Sequence, residues 1–159
     1  MNTAASPKAF RLPSHVRPDA YDIDLHASLA REGFHGAVTI DLTIAESDAS
    51  LTLHARELEL SDAELTLPGG EVLRDLPIRL DALRQTATFT LPRPVQGAAR
   101  LSVRFAGVLN PGMHGLYLAS DGKDRAVCTQ CEATDARAIF PCFDEPEFKA
   151  SLKWTLRTD

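Results

Sequence analysis

Gln130 and Glu132 stand two residues apart in a stretch with strand-like composition. On an extended backbone, such residues share one face, while Thr129, Cys131 and Ala133 point the other way. A wet sheet face accounts for that pattern on its own. The chemical alternative is a carboxylate at a strand end that captures a ligand ammonium group by charge-assisted hydrogen bonds, with the amide as a neighbouring acceptor. Asp144 and Glu145 form a second acidic site, and paired carboxylates can serve as the acid and base of a glycosidase. Adjacent side chains on extended backbone diverge, however. The flanking Pro141 and Pro146 therefore favour a structural knot in which Arg137 pairs with Asp144 while Phe140 and Phe143 plug the core.

Metal and redox chemistry find less support. Cys128 and Cys131 form a C-x-x-C, but a zinc site of that type needs a second pair or histidines in register, and only Cys142 and distant histidines are available. Residues three apart on a strand sit about 10 Å from each other on opposite faces, too far for a disulfide. His15, His26, His35, His54 and His114 are isolated from one another, and none is followed by Glu. The His-Glu-x-x-His signature, which sets two imidazoles one helical turn apart with a glutamate base, is absent.

The elements that must position these groups are strands. Tyr21, Ile23 and Leu25 alternate with polar residues, as do Val38, Ile40, Leu42 and Ile44, across an expected turn at Gly33 to Gly36. The same period returns at Leu51 and Leu53, Leu58 and Leu60, Leu65 and Leu67, Ile78 and Leu80, and Phe89 and Leu91. Pro68-Gly69-Gly70 marks a turn. Pro92 and Pro94 are expected to divide the Phe89 strand from one carrying Leu101, Val103 and Phe105. A last strand is expected over Leu152, Trp154 and Leu156. No window shows a helical apolar stripe, so at most one short helix is predicted, near 134–139. The pattern predicts an all-β fold, an antiparallel sandwich or strongly twisted, saddle-like sheets. Residues 1–12 are expected to be a flexible arm and 13–159 a single domain.

Composition narrows the classes of partner. The 159 residues carry 17 basic and 22 acidic side chains, net charge -5, with no basic stripe to follow a phosphate backbone, so nucleic acid is not expected as a partner. No segment approaches the roughly 20 apolar residues that span a bilayer, and the first ten residues lack a signal-peptide pattern. A membrane is not expected either. A cytoplasmic location is, with three cysteines as free thiols. A strand at 152–156 is expected to leave an unpaired sheet edge, and hence self-association.

The run CTQCEATDARAIFPCFDEPEFKASLKW closely resembles the N-terminal domain of zinc aminopeptidases of the aminopeptidase N (M1 metallopeptidase) family. There a Gln-x-Glu strand precedes an Ala-Arg-x-x-Phe-Pro-Cys-x-Asp-Glu-Pro segment. MHGLYLAS before it, and RLPSHVRPDAYDIDL and GAVTIDLTI near the front, extend the resemblance over nearly the whole chain. The resemblance implies removal of single residues from free peptide N-termini. It implies that Glu132 anchors the α-amino group, that Gln130 lines the first-residue pocket, and that Met113 shares in its selectivity. Arg137, Pro141 and Asp144 would be framework beside that pocket. It further implies that zinc lies in a separate catalytic domain, an expected partner together with the peptide N-terminus, and that the β domain continues beyond Asp159. This chain alone would then hold no metal or catalytic residue. The other reading is a non-catalytic binding or scaffold module of the same fold.

Overall fold

A computed structural model describes residues 11–159. Nine strands follow in order: β1 Val16–Ser28, β2 Gly33–His54, β3 Glu59–Thr66, β4 Val72–Leu73, β5 Ile78–Asp81, β6 Thr86–Val108, β7 Gly115–Ser120, β8 Arg125–Gln130 and β9 Ser151–Thr158. Among the described residues the fold is all-β, with a short 3₁₀ turn at Ala136–Ala138 falling inside the window expected to be helical. Seven strands form one sheet in the order β4-β3-β6-β2-β1-β9, with β5 also on β6, and β7 and β8 form a separate hairpin.

Alternating apolar residues build the core. Ile23, Val38, Ile40, Leu51, Leu53, Leu65, Phe89 and Leu101 are all fully buried, and their polar neighbours other than His54 are at least partly exposed. Pro92 and Pro94 do not end a strand: β6 runs through them for 23 residues. The register between β2 and β6 breaks between Ile44 and Ser50, so residues 91–94 have no β2 partner and the missing proline N–H groups cost no ladder bond.

Three further expectations need correction. The turn after β1 lies at 29–32, and Gly36 sits inside β2, because a Cβ there would collide with the Asp24 carbonyl and approach the Phe105 ring to 2.8 Å. β9 runs parallel to β1, pairing Tyr21 with Leu152 and Leu25 with Leu156, so the main sheet is mixed and not wholly antiparallel. The long path between the two strands leaves ample chain for a parallel return. The ordered fold also starts before residue 13. Most of the expected arm lies outside the described residues, but Leu12 is buried and its N–H donates to Glu145 Oε1 at 2.8 Å.

β9 forms an edge of the main sheet. Its polar face is neutralised by Lys153–Asp22 at 2.7 Å and Arg157–Asp24 at 2.8 Å. The other face leaves Leu152, Trp154 and Leu156 at 54%, 41% and 68% exposure, with Trp154 edge-on to Phe140 at 5.3 Å.

Candidate functional site

The segment after β8 is tied to the end of β2. His54 and Cys142 exchange backbone hydrogen bonds of 2.9 and 3.0 Å, and the Arg56 N–H donates to the Arg137 carbonyl at 2.9 Å. Around that tie lies a buried polar knot. Arg137 Nε donates to Asp144 Oδ2 at 2.9 Å, one Nη donates to the Asp144 carbonyl at 3.0 Å and the other to Gln85 Oε1 at 3.3 Å. Pro141, Phe140 and Phe143 are buried beside it. The buried guanidinium thus spends Nε and both Nη atoms on partners within the fold.

Neighbouring groups are equally committed. The Asp144 N–H donates to His54 Nδ1 at 3.2 Å, and the Phe143 N–H donates to the Tyr21 hydroxyl at 3.1 Å. His54 therefore holds its proton on Nε2. Burial and the Arg137 charge push its pKa down to about 4, so it is neutral at pH 7. Burial raises the Tyr21 phenol and the Cys142 thiol well above their ordinary values. Glu145 accepts from the Leu12 N–H and from Arg11 at 3.3 Å. Asp144 and Glu145 thus face separate partners rather than one reacting centre. His54 carried no sequence signal: alternation sets it opposite Leu51 and Leu53, and only the 142–145 segment covers it.

Gln130 and Glu132 are arranged differently from the expectation of a shared strand face. β8 ends at Gln130, and Glu132 lies in a turn. The Asp135 N–H donates to the Cys131 carbonyl at 2.9 Å and closes that turn, and the Asp135 carboxylate accepts from Arg56 at 2.6 Å. These bonds override a further strand residue and hold the backbone on either side of Glu132. The Glu132–Ala133 peptide is cis.

The hairpin register brings Met113, Gln130 and Glu132 to one end. Gly115 pairs with Gln130, Met113 lies two residues before the former and Glu132 two residues after the latter. Gly115 has φ 64°, a conformation that favours glycine, and a Cβ there would come within a tight 3.2 Å of that of Ala138. The hairpin base is thereby pressed against the 3₁₀ turn. All three side chains are exposed, Met113 at 80%, and Glu132 has no ion pair or side-chain hydrogen bond among the described residues.

Thr129 and Cys131 point into an apolar groove of about 470 Å³ between the hairpin and β9, walled by Leu116, Val127, Trp154 and Leu156. Gln130 and Glu132 do not line it. Cys128, Cys131 and Cys142 are free thiols. Among the described residues, no three His, Cys, Asp or Glu side chains cluster so as to hold a metal ion, and no helix is long and apolar enough to cross a membrane.

Comparison with known proteins places the chain in a family. The family model for the Peptidase M1 N-terminal domain matches residues 17–159. The chain is 32% identical to endoplasmic reticulum aminopeptidase 1 of Rattus norvegicus, covering 98% of this chain and 19% of that protein. It is 35% identical to puromycin-sensitive aminopeptidase of Caenorhabditis elegans, covering 99% of this chain and 17% of that protein. Glutamyl aminopeptidase of Mus musculus is 33% identical over 91% of this chain and 16% of its own length. The chain thus spans less than a fifth of the length of the curated relatives it matches. Matched over nearly all of its sequence and all-β as described, it belongs to the Peptidase M1 N-terminal domain family and is an N-terminal domain of an M1 aminopeptidase.

Proposed function

We propose that this domain forms the wall that holds the free α-amino group of a peptide in a zinc-dependent aminopeptidase that removes single N-terminal residues. Glu132 supplies the anion, Gln130 a second acceptor, and Met113 an apolar surface for the first side chain. The observation that carries this reading is the contrast in commitment: Glu132 is exposed just past the end of β8, with no ion pair among the described residues to neutralise it. Its backbone is fixed by the Asp135 bonds, so little freedom is lost when a ligand docks. Holding the terminus decides which peptide bond is presented for cleavage, an orientation effect.

The described residues do not fit a zinc site. The buried His54 uses Nδ1 to accept a backbone N–H, and the described residues offer no three-ligand cluster. In this reading the metal and the reacting groups belong to the remaining polypeptide of the complete enzyme, which is the domain's principal partner. The compartment proposed is the cytoplasm, supported by the three unpaired thiols.

Peptides with free and acetylated N-termini, titrated against the domain, test the wall directly. The free form is expected to bind more tightly, and Glu132→Ala to remove about 2 kcal/mol of that preference, the order of a charge-assisted hydrogen bond. In the complete enzyme the same substitution is expected to raise KM and lower kcat/KM by a similar amount. Equal binding of the two peptides to the unsubstituted domain would leave only a β scaffold.

A further inference from the structure

We propose that the free edge of β9 pairs antiparallel with β9 of a second copy of this chain, in one register centred on Trp154. β9 ends the main sheet, so among the described residues its outer backbone groups have no strand partner. One face of this edge carries Leu152, Trp154 and Leu156, all of them exposed. Trp154 and Leu156 also wall the apolar groove of about 470 Å³, across from Leu116 and Val127 of the hairpin. An apolar row along an open edge fits an added strand, which brings both backbone partners and alternate side chains.

The sequence of β9, SLKWTLRT, is complementary to itself in that register alone. A two-fold axis through Trp154 sets Leu152 opposite Leu156 of the second copy, Lys153 opposite Thr155 and Ser151 opposite Arg157, each pairing made twice. Apolar side chains then meet only apolar ones, and each cation meets a hydroxyl. Moving the axis to Lys153 sets that lysine against Lys153 of the second copy, and moving it to Thr155 sets Lys153 against Arg157. Like charges directly opposite one another destabilise a sheet. Axes at Leu152 or Leu156 shorten the paired stretch. An axis between two residues turns the apolar face of one copy to the polar face of the other. Lys153 and Arg157 are already held by Asp22 and Asp24 within their own copy, at 2.7 and 2.8 Å, so the pairing brings no uncompensated charge to the axis. Leu152 of the second copy, lying beside Leu156, lengthens the groove wall and withdraws apolar surface from water on both sides of the axis.

Trp154 is the only tryptophan of the chain and lies on the axis, so its emission reads the pairing directly. Diluting the 159-residue chain is expected to shift that emission to the red while sedimentation shows dimer giving way to monomer. Ser151 is exposed, and a charge placed there tests the register without touching the core. Ser151→Glu sets a carboxylate opposite Arg157 of the second copy and is expected to tighten the dimer about tenfold, and Ser151→Arg to loosen it about tenfold, both effects shrinking in high salt. An axis at Thr155 would set position 151 opposite Asp159 and reverse that order. Thr155→Lys pairs with Asp24 of its own copy and so is expected to keep the monomer folded, yet to weaken the dimer by opposing Lys153. The proposal is overturned if the chain stays monomeric at every concentration. It is equally overturned if the two Ser151 variants, folded by circular dichroism, associate as the parent does or in the reverse order. A monomeric complete enzyme with Trp154 already shielded would also overturn it, giving the edge to another strand of the same polypeptide.

Discussion

Two acidic sites lie within 14 residues of each other and behave oppositely. At the first, Asp144 and Glu145 are bound on every side, by Arg137, His54 and the Leu12 amide, in a region where those side chains are almost wholly removed from water. At the second, Glu132 stands exposed at the end of a hairpin with no internal partner among the described residues. A carboxylate already engaged by its own fold is less open to a ligand than one left without an internal partner. The acidic run with more charge is therefore the less reactive.

The sharpest way to break this contrast is at Arg137. Replacing it by Ala leaves Asp144 uncompensated and is expected to cost about 3–5 kcal/mol of stability, the usual penalty for breaking a buried pair. Chemical denaturation measures it, and a loss below about 1 kcal/mol would mean the knot is not structural. Next in size is the pH dependence set by His54. Its folded pKa of about 4 lies below the ordinary 6.5, so the unfolded chain takes up the proton first as pH falls. Stability is then whole above about pH 6.5 and declines toward pH 4 by on the order of 2–3 kcal/mol. The paired carboxylate Asp48 has a lowered pKa, and its contribution is lost only at lower pH still. His54→Gln is expected to flatten the decline between pH 6.5 and 4 in denaturation curves. A variant that declines as steeply as the parent would remove His54 as the cause.

Glu132→Ala supplies the other arm of the comparison. As an exposed, unpartnered residue it is expected to change stability by no more than about 0.5 kcal/mol while diminishing binding of the free amine. A large stability loss would mean that Glu132 is framework after all. The smallest effect is expected at β9, where apolar rather than ionic side chains lie uncovered. Antiparallel pairing of two copies about Trp154 would set Leu152 against Leu156 of the second copy, with Lys153 and Arg157 already neutralised by Asp22 and Asp24. Sedimentation is expected to show weak self-association that rises with concentration and is abolished by Leu156→Lys. A monomer at every concentration would leave that edge without a second copy.

Much of the framework was legible because β alternation is a local signal. Ile23, Val38, Ile40, Leu51, Leu53, Phe89 and Leu101 were assigned inward by period alone and are buried. The Pro68-Gly69-Gly70 turn was equally local: Gly69 and Gly70 hold φ 93° and 89°, which other residues rarely adopt. The errors came where a partner strand decides. Pro92 and Pro94 looked like a boundary, and became harmless only because the β2 register breaks opposite them. Gly36 looked like a turn and is a point of close approach to Asp24 and Phe105.

By itself, the sequence determined the strand content, the inward set of side chains and the presence of an acidic, Pro-bounded segment, since each depends on residue type and near-neighbour spacing. Tertiary structure alone decided that β9 returns parallel to β1, that His54 is buried and neutral, and that Glu132 leaves the strand for a turn pinned by Asp135 and Arg56. Those outcomes depend on contacts between residues up to about 130 positions apart, such as Tyr21 with Leu152, and no local period encodes them.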